Sequence, residues 1–226
     1  MELVFDERSA NSSFVEMIWH THSERAGTFT SIAVSHWEIV TMTFNGKTMI
    51  TARGPETKAS EADFPADAEF FGITFKLGTF MPYLPIKTLL DRQDATLPEA
   101  SSNSFWLHGS AWELPTFENA DVFVGRLIRQ GILVRDPVVE AAIQGYTPDM
   151  SVRSLQYRFL QATGLTHKTI QQIERARSAV SLLELGTPIL DTALELGYFD
   201  QAHLINSLKR FIGKTPAQIA NKRTVE

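Results

Sequence analysis

Apolar positions change their rhythm along this chain. From about residue 14 to 115 they come in short, partly alternating runs, and beyond residue 118 they recur three and four apart. Alternation is the mark of half-buried strands, and the longer period is that of helices packed by one face. Phe29–Val34, Ile39–Phe44, Thr48–Thr51 and Phe70–Leu77 are rich in β-branched and aromatic residues and are predicted as strands. Asn45-Gly46 between two of them predicts a tight hairpin. Gly54-Pro55, Phe64-Pro65 and Met81-Pro82 punctuate the region as turns. Short strands so punctuated predict a small barrel or sandwich.

The helical half begins with residues 118–130, closed by Gly131. Asp136-Pro137 then caps a short helix running to Gly145. A loop, Tyr146-Thr147-Pro148-Asp149, precedes a longer helix capped by Ser151. Two segments here share one pattern at an offset of 49 residues: Leu155, Phe159 and Gly164, then Leu204, Leu208 and Gly213. In each, two apolar residues fall on one helical face and the glycine ends the helix. Asp200 caps the second of these helices. Before it lies a short capped helix from Thr187 to Gly197, with the small Ala193 where two helices must cross, and the turn Tyr198-Phe199-Asp200. Short helix, glycine turn and longer helix together predict a helix-turn-helix. Between the two units, Lys168–Leu185 carries Ile170, Ile173, Val180 and Leu183 on one stripe, with Gly186 as its stop. Roughly 18 residues make a rod of about 27 Å. That length suits two helices entering successive major grooves about 34 Å apart.

Net charge is −5, which taken alone disfavours nucleic acid. Its distribution does not. From Ser151 onward ten Lys/Arg stand against six Asp/Glu, a balance of +4, leaving −9 for the rest. A basic tail on an acidic body suits a DNA-reading module joined to a domain that avoids DNA. The absence of cysteine excludes disulfides, thiolate metal sites and cysteine nucleophiles. No run approaches the ~20 apolar residues that span a bilayer. The first residues lack the basic start and apolar stretch of a secretion signal, so the expected location is the cytoplasm.

The segments SVRSLQYRFLQATG (151–164), IERAR (173–177), the run from Ile189 through Gly197 to Leu204, and KRFIGKTP (209–216) resemble the DNA-binding domain of the AraC/XylS family. The resemblance covers about a third of the chain. It implies a bihelical domain with one reading helix per major groove. Carried over position by position, it implies base contacts from Arg153, Gln156 and Tyr157 in the first helix, and from Gln201, His203 and Asn206 in the second. Ala202 would offer only apolar contact. The residue types agree, since Arg suits the guanine edge while Gln and Asn pair with adenine. Ser151, Lys209, Arg210 and Lys214 would hold phosphates, which supply affinity rather than specificity. One departure is visible: only one short helix precedes the first reading helix, where the family has two, so its support is expected to be shortened.

The stretch from Ala66 to Gly78, with Leu97-Pro98, resembles N-terminal domains of the same family. The expected fold class is α+β: a cupin-like β-barrel or sandwich over 1–115, serving sensing or dimerisation, a helical connector over 116–135, and an all-α bihelical DNA-binding domain over 136–226. The implied partners are duplex DNA, a small-molecule effector, RNA polymerase and a second copy of the chain, with no membrane. An activator role belongs to the same expectation.

Two N-terminal features invite a rival reading. His20-Thr21-His22 with Glu24 has the spacing of a cupin metal site, yet no glycine frame or distal histidine accompanies it, so no metal or cofactor is expected. Trp19, Trp37, Phe71, Phe75, Trp106 and Trp112 could line an effector pocket or simply fill a core. Ser35-His36 lacks a nucleophile framework, and no glycine-rich phosphate loop appears. The chain is therefore read as a regulator and not an enzyme; the alternative is a cupin-type metal-dependent enzyme with a vestigial helical tail.

Overall fold

The structure, a computed structural model, describes residues 3–146 and 149–220. Its strands are β1 (Phe5–Arg8), β2 (Val15–Ser23), β3 (Gly27–Ser31), β4 (Glu38–Phe44), β5 (Lys47–Arg53), β6 (Ser60–Phe64) and β7 (Ala68–Phe75). Shorter ones follow: β8 (Thr79–Phe80), β9 (Ala95–Thr96), β10 (Glu99–Ser101), β11 (Ser104–Leu107), β12 (Ser110–Glu113) and β13 (Val134–Arg135). The helices are α1 (Ala120–Arg129), α2 (Pro137–Ile143), α3 (Val152–Thr163), α4 (His167–Glu184), α5 (Ile189–Glu195), α6 (Gln201–Phe211) and α7 (Pro216–Ala220). The fold is mixed α+β, with a sheet-rich N-terminal part and a helical C-terminal part.

Packing gathers the chain into two units that do not follow chain order. The first, here the sheet unit, holds the residues up to Gly27, His36–Pro55 and Asp63–Thr166. The second, the helical unit, holds Thr28–Ser35, Glu56–Ala62 and the residues from His167 on. Thus α2 and α3, read from sequence as part of the C-terminal domain, pack within the sheet unit.

The sheet unit is built on six antiparallel strands in the order β1-β2-β7-β4-β5-β9. The β4–β5 hairpin turns through Asn45 and Gly46, both in the left-handed region (φ 51° and 71°), as an Asn-Gly turn requires. One sheet face supplies Ile18, Ile39, Ile50, Phe71, Ile73 and Phe75 to a core closed by Phe123, Val124 and Leu127 of α1. Four of the six aromatics considered for a pocket are core: Trp37, Phe71, Phe75 and Trp112 are buried, with Trp37 stacked on Phe75 at 4.3 Å. Trp19 lies across the Cα of Gly72 on the other face. Trp106 alone is exposed, at the rim of a small apolar recess of about 290 Å³ shared with Tyr83 and His108. α3 buries Phe159, Ala162 and Thr163, and its end glycine, Gly164, seats against Ile86 and Lys87.

The helical unit centres on α4, whose Ile170, Ile173 and Leu183 are buried as the stripe predicts; Val180 of that stripe is only half-buried, and Ala176 and Ala179 complete the buried face. α5, α6 and α7 pack around it. α5 starts without the side-chain cap expected at Thr187; its N-cap is Pro188, which offers no hydrogen bond from its side chain. The segments Thr28–Ser35 and Glu56–Ala62 pack with these helices and are joined to each other by an antiparallel bridge between Val34 and Glu56. Thr147 and Pro148 of the expected loop lie outside the described residues. No described helix is long and apolar enough to cross a membrane.

Candidate nucleic-acid interface

The second helix-turn-helix is built from α5, the turn Leu196–Asp200 and α6. Gly197 takes a left-handed conformation (φ 68°) that lets the chain reverse, and the next residue, Tyr198, is buried beneath the turn. Its hydroxyl is 3.1 Å from the Ser207 hydroxyl. Arg175 of α4 sets its guanidinium 4.3 Å from the centre of the Tyr198 ring and donates to the Gly197 carbonyl at 3.3 Å. Ala193 is buried where α5 and α6 meet, as its small size predicts. The turn is therefore fixed from three sides.

Asp200 caps α6, its carboxylate accepting from the His203 amide at 2.7 Å. Leu204, Leu208 and Phe211, at i, i+4 and i+7, face the core and are buried. The opposite ridge at the same spacing is Ala202, Asn206 and Lys209, all exposed. Gln201, His203 and Arg210 are exposed on the flanks. Gln201 stands about 140° around the helix from Asn206, so these two share no ridge. His203 Nδ1 accepts from the Phe199 amide at 3.4 Å, which leaves Nε2 as the nitrogen facing outward. Arg210 lies over the Phe211 ring at 5.0 Å, and Lys214 is half-buried.

The first unit differs. Ser151 caps α3 by accepting from the Ser154 amide at 3.2 Å. Arg153, Gln156 and Tyr157 lie on one exposed face, at i, i+3 and i+4. That face is not bare: Arg153 and Tyr157 share an open cleft of about 720 Å³ with Phe80 and Asp136 of the same unit. The Tyr157 hydroxyl is 2.9 Å from Gln161 Nε2, and Arg158 pairs with Asp136, the cap of α2, at 2.9 Å. The single short α2 is the only helix directly before α3 among the described residues, as the spacing predicts.

His20 and His22 do not assemble a metal site: among the described residues, no three His, Asp or Glu side chains gather as metal ligands. Ser35 is no nucleophile; it is buried, and its hydroxyl donates to Glu174 of α4 at 2.7 Å. Sequence reasoning missed that contact, and it missed the role of Arg175, although the IERAR run that holds both Glu174 and Arg175 was part of the resemblance.

Residues 149–222 match the family model of a helix-turn-helix domain. The chain thus carries an AraC-type helix-turn-helix domain, and the protein is a DNA-binding transcription regulator. No curated protein matches the sequence. Among solved structures, ToxT from Vibrio cholerae aligns at 12% identity over 96% of this chain and 98% of that one, with a TM-score of 0.38. ToxT from Vibrio cholerae O395 gives 9%, 98% and 99%, with a TM-score of 0.39. Wild-type ToxT of strain SCE256, bound to an unsaturated fatty acid, gives 10%, 94% and 96%, with a TM-score of 0.38.

Proposed function

We propose that this protein controls transcription by reading a specific duplex sequence, with α6 in one major groove and α3 in a second. The observation that carries the reading is the second helix-turn-helix: α6 buries one face completely and turns Ala202, Asn206 and Lys209 outward as an uninterrupted ridge. On this reading Gln201, His203 and Asn206 touch base edges, as do Arg153, Gln156 and Tyr157 on α3. Ser151, Lys209, Arg210 and Lys214 hold phosphates. The domain limits 1–115, 116–135 and 136–226 serve as the functional division, with the N-terminal part modulating binding through a small-molecule effector or a second copy of the chain. RNA polymerase is the protein partner on DNA, and the location is the cytoplasm.

Titration of a labelled duplex, enriched from a random pool, tests this at several salt concentrations. The parent protein should discriminate the enriched duplex from a scrambled one by about a thousandfold or more, with a steep salt dependence. Equal affinity for both would contradict sequence reading.

A further inference from the structure

We infer that Thr28–Ser35 and Glu56–Ala62 form a strap that positions the second reading helix, so that recognition by α6 depends on N-terminal residues that touch no DNA. The inference rests on α6 reading DNA as proposed above.

The last four carbonyls of a helix have no partner within it. In α6, two of them are answered by chain from the far end of the sequence. The Ala59 amide donates to the Arg210 carbonyl at 2.7 Å, and the Ala33 amide donates to the Phe211 carbonyl at 2.7 Å. Gly213 ends the helix in the left-handed region (φ 75°), and its missing Cβ leaves room for the strap. A carbon added there would lie 2.8 Å from Thr30 Cγ2 and 3.1 Å from Ala59 Cβ.

The strap is itself stiffened. Glu56 is buried, and its two carboxylate oxygens accept from Ser31 at 2.9 Å and Ser60 at 3.2 Å, tying one segment to the other. Ser35 ties the first segment to α4 through Glu174. Hydrogen bonds from both segments thus end on the turn that carries Lys209 and Arg210, the proposed phosphate contacts.

The chain on either side of the strap is firmly held. Two residues beyond Ser35, Trp37 is buried on Phe75 and donates its indole N–H to the Thr79 carbonyl at 2.6 Å. Just before Glu56, the Pro55 carbonyl accepts from the Asp91 amide at 3.0 Å, and Gly54 is packed so tightly under Leu89 that no side chain fits.

The full-length chain tests this in four variants. Ala59→Pro deletes the donor to Arg210 and Ala59→Gly keeps it; Ser35→Ala deletes the hydroxyl and Ser35→Thr keeps it. Affinity is measured for the enriched duplex and for the same duplex with only the α6 half-site scrambled. Ala59→Pro and Ser35→Ala should bind the intact duplex about tenfold more weakly, a loss the size of one mismatched base pair. The same two variants should bind the half-scrambled duplex like the parent. Ala59→Gly and Ser35→Thr should match the parent on both. Parental binding by Ala59→Pro and Ser35→Ala, or equal loss on both duplexes, would overturn the strap. If Ala59→Pro does not fold, Ser35→Ala against Ser35→Thr decides. Hydrogen exchange without DNA gives an independent reading: the Ile212 and Gly213 amides should exchange faster in Ser35→Ala than in the parent, and unchanged exchange refutes the strap whether or not α6 reads bases. A parent protein that fails to discriminate the two duplexes would count against DNA reading itself.

Discussion

Arg175 reaches from α4 over Tyr198, its guanidinium carbon 4.3 Å from the ring centre, while one of its N–H groups donates to the Gly197 carbonyl at 3.3 Å. Two interactions from one side chain hold the turn that aims α6. Arg175→Ala should destabilise the helical unit by about 1–2 kcal/mol, combining a cation–π contact and a charge-assisted hydrogen bond. Arg175→Lys should recover only part of this, because an ammonium cannot stack as a planar guanidinium does. Urea unfolding of the three proteins checks it; a lysine variant as stable as the parent would show that charge alone matters.

The outward ridge of α6 separates specificity from affinity. Asn206→Ala should cost ~1–3 kcal/mol on the preferred duplex and relax the preference at one or two base pairs. Lys209→Ala should weaken binding to all duplexes alike and reduce the salt slope by about one. Competition titrations at two salt concentrations distinguish the two effects. If Asn206→Ala weakened every duplex equally, Asn206 would be serving the backbone instead.

Gly72 of β7 exists to make room for Trp19 of the neighbouring strand β2, since a methyl group there would overlap the indole ring. The same indole donates to Glu38 at 3.2 Å, so pushing it aside also breaks a hydrogen bond. Gly72→Ala should therefore cost about 2–3 kcal/mol in the sheet unit through overpacking. Combining it with Trp19→Leu should cost less than the sum of the two single changes, because the overlap disappears with the ring. Additive losses in denaturant unfolding would show that the glycine serves something else.

Burial raises the Glu38 carboxyl above its ordinary value of 4.5, and the opposing pull of Arg53, 3.4 Å away, and the hydrogen bonds from Trp19 and Thr74 do not cancel it. The folded chain then keeps this proton to a higher pH than the unfolded chain. Unfolding free energy accordingly falls as pH rises from 4.5 through the raised value, and below 4.5 the contribution is constant. Glu38→Gln removes the titration, so the stability of the variant relative to the parent should grow as pH rises across that window. A difference independent of pH would mean that Glu38 titrates normally.

The helical elements were legible because their signals are local. The capping residues Ser151 and Asp200, the buried pair Leu204/Leu208 and the closing glycines Gly164 and Gly213 stand at fixed spacing in the chain, and each takes its expected place. Asn45-Gly46 did the same for the β4–β5 hairpin. What the sequence left hidden is long-range. Nothing local marks Ala33 and Ala59 as partners of Phe211 and Arg210, because a backbone amide has no side-chain signature. Thr28–Ser35 reads as an ordinary apolar strand, and only its packing shows that it belongs with helices lying more than a hundred residues later. The two closing glycines look alike in sequence, yet Gly164 abuts Ile86 and Gly213 abuts Thr30. The base-reading candidates came from the family resemblance, position by position, and their access to solvent follows from the helical period.

The most direct test of the central claim is selection from a random duplex pool by the full-length protein, at low and at physiological salt. The account predicts an enriched motif of two half-sites about ten base pairs apart, one lost in Asn206→Ala and the other in Arg153→Ala. A pool that stays random at both salt concentrations, with only weak and salt-sensitive binding, would contradict it.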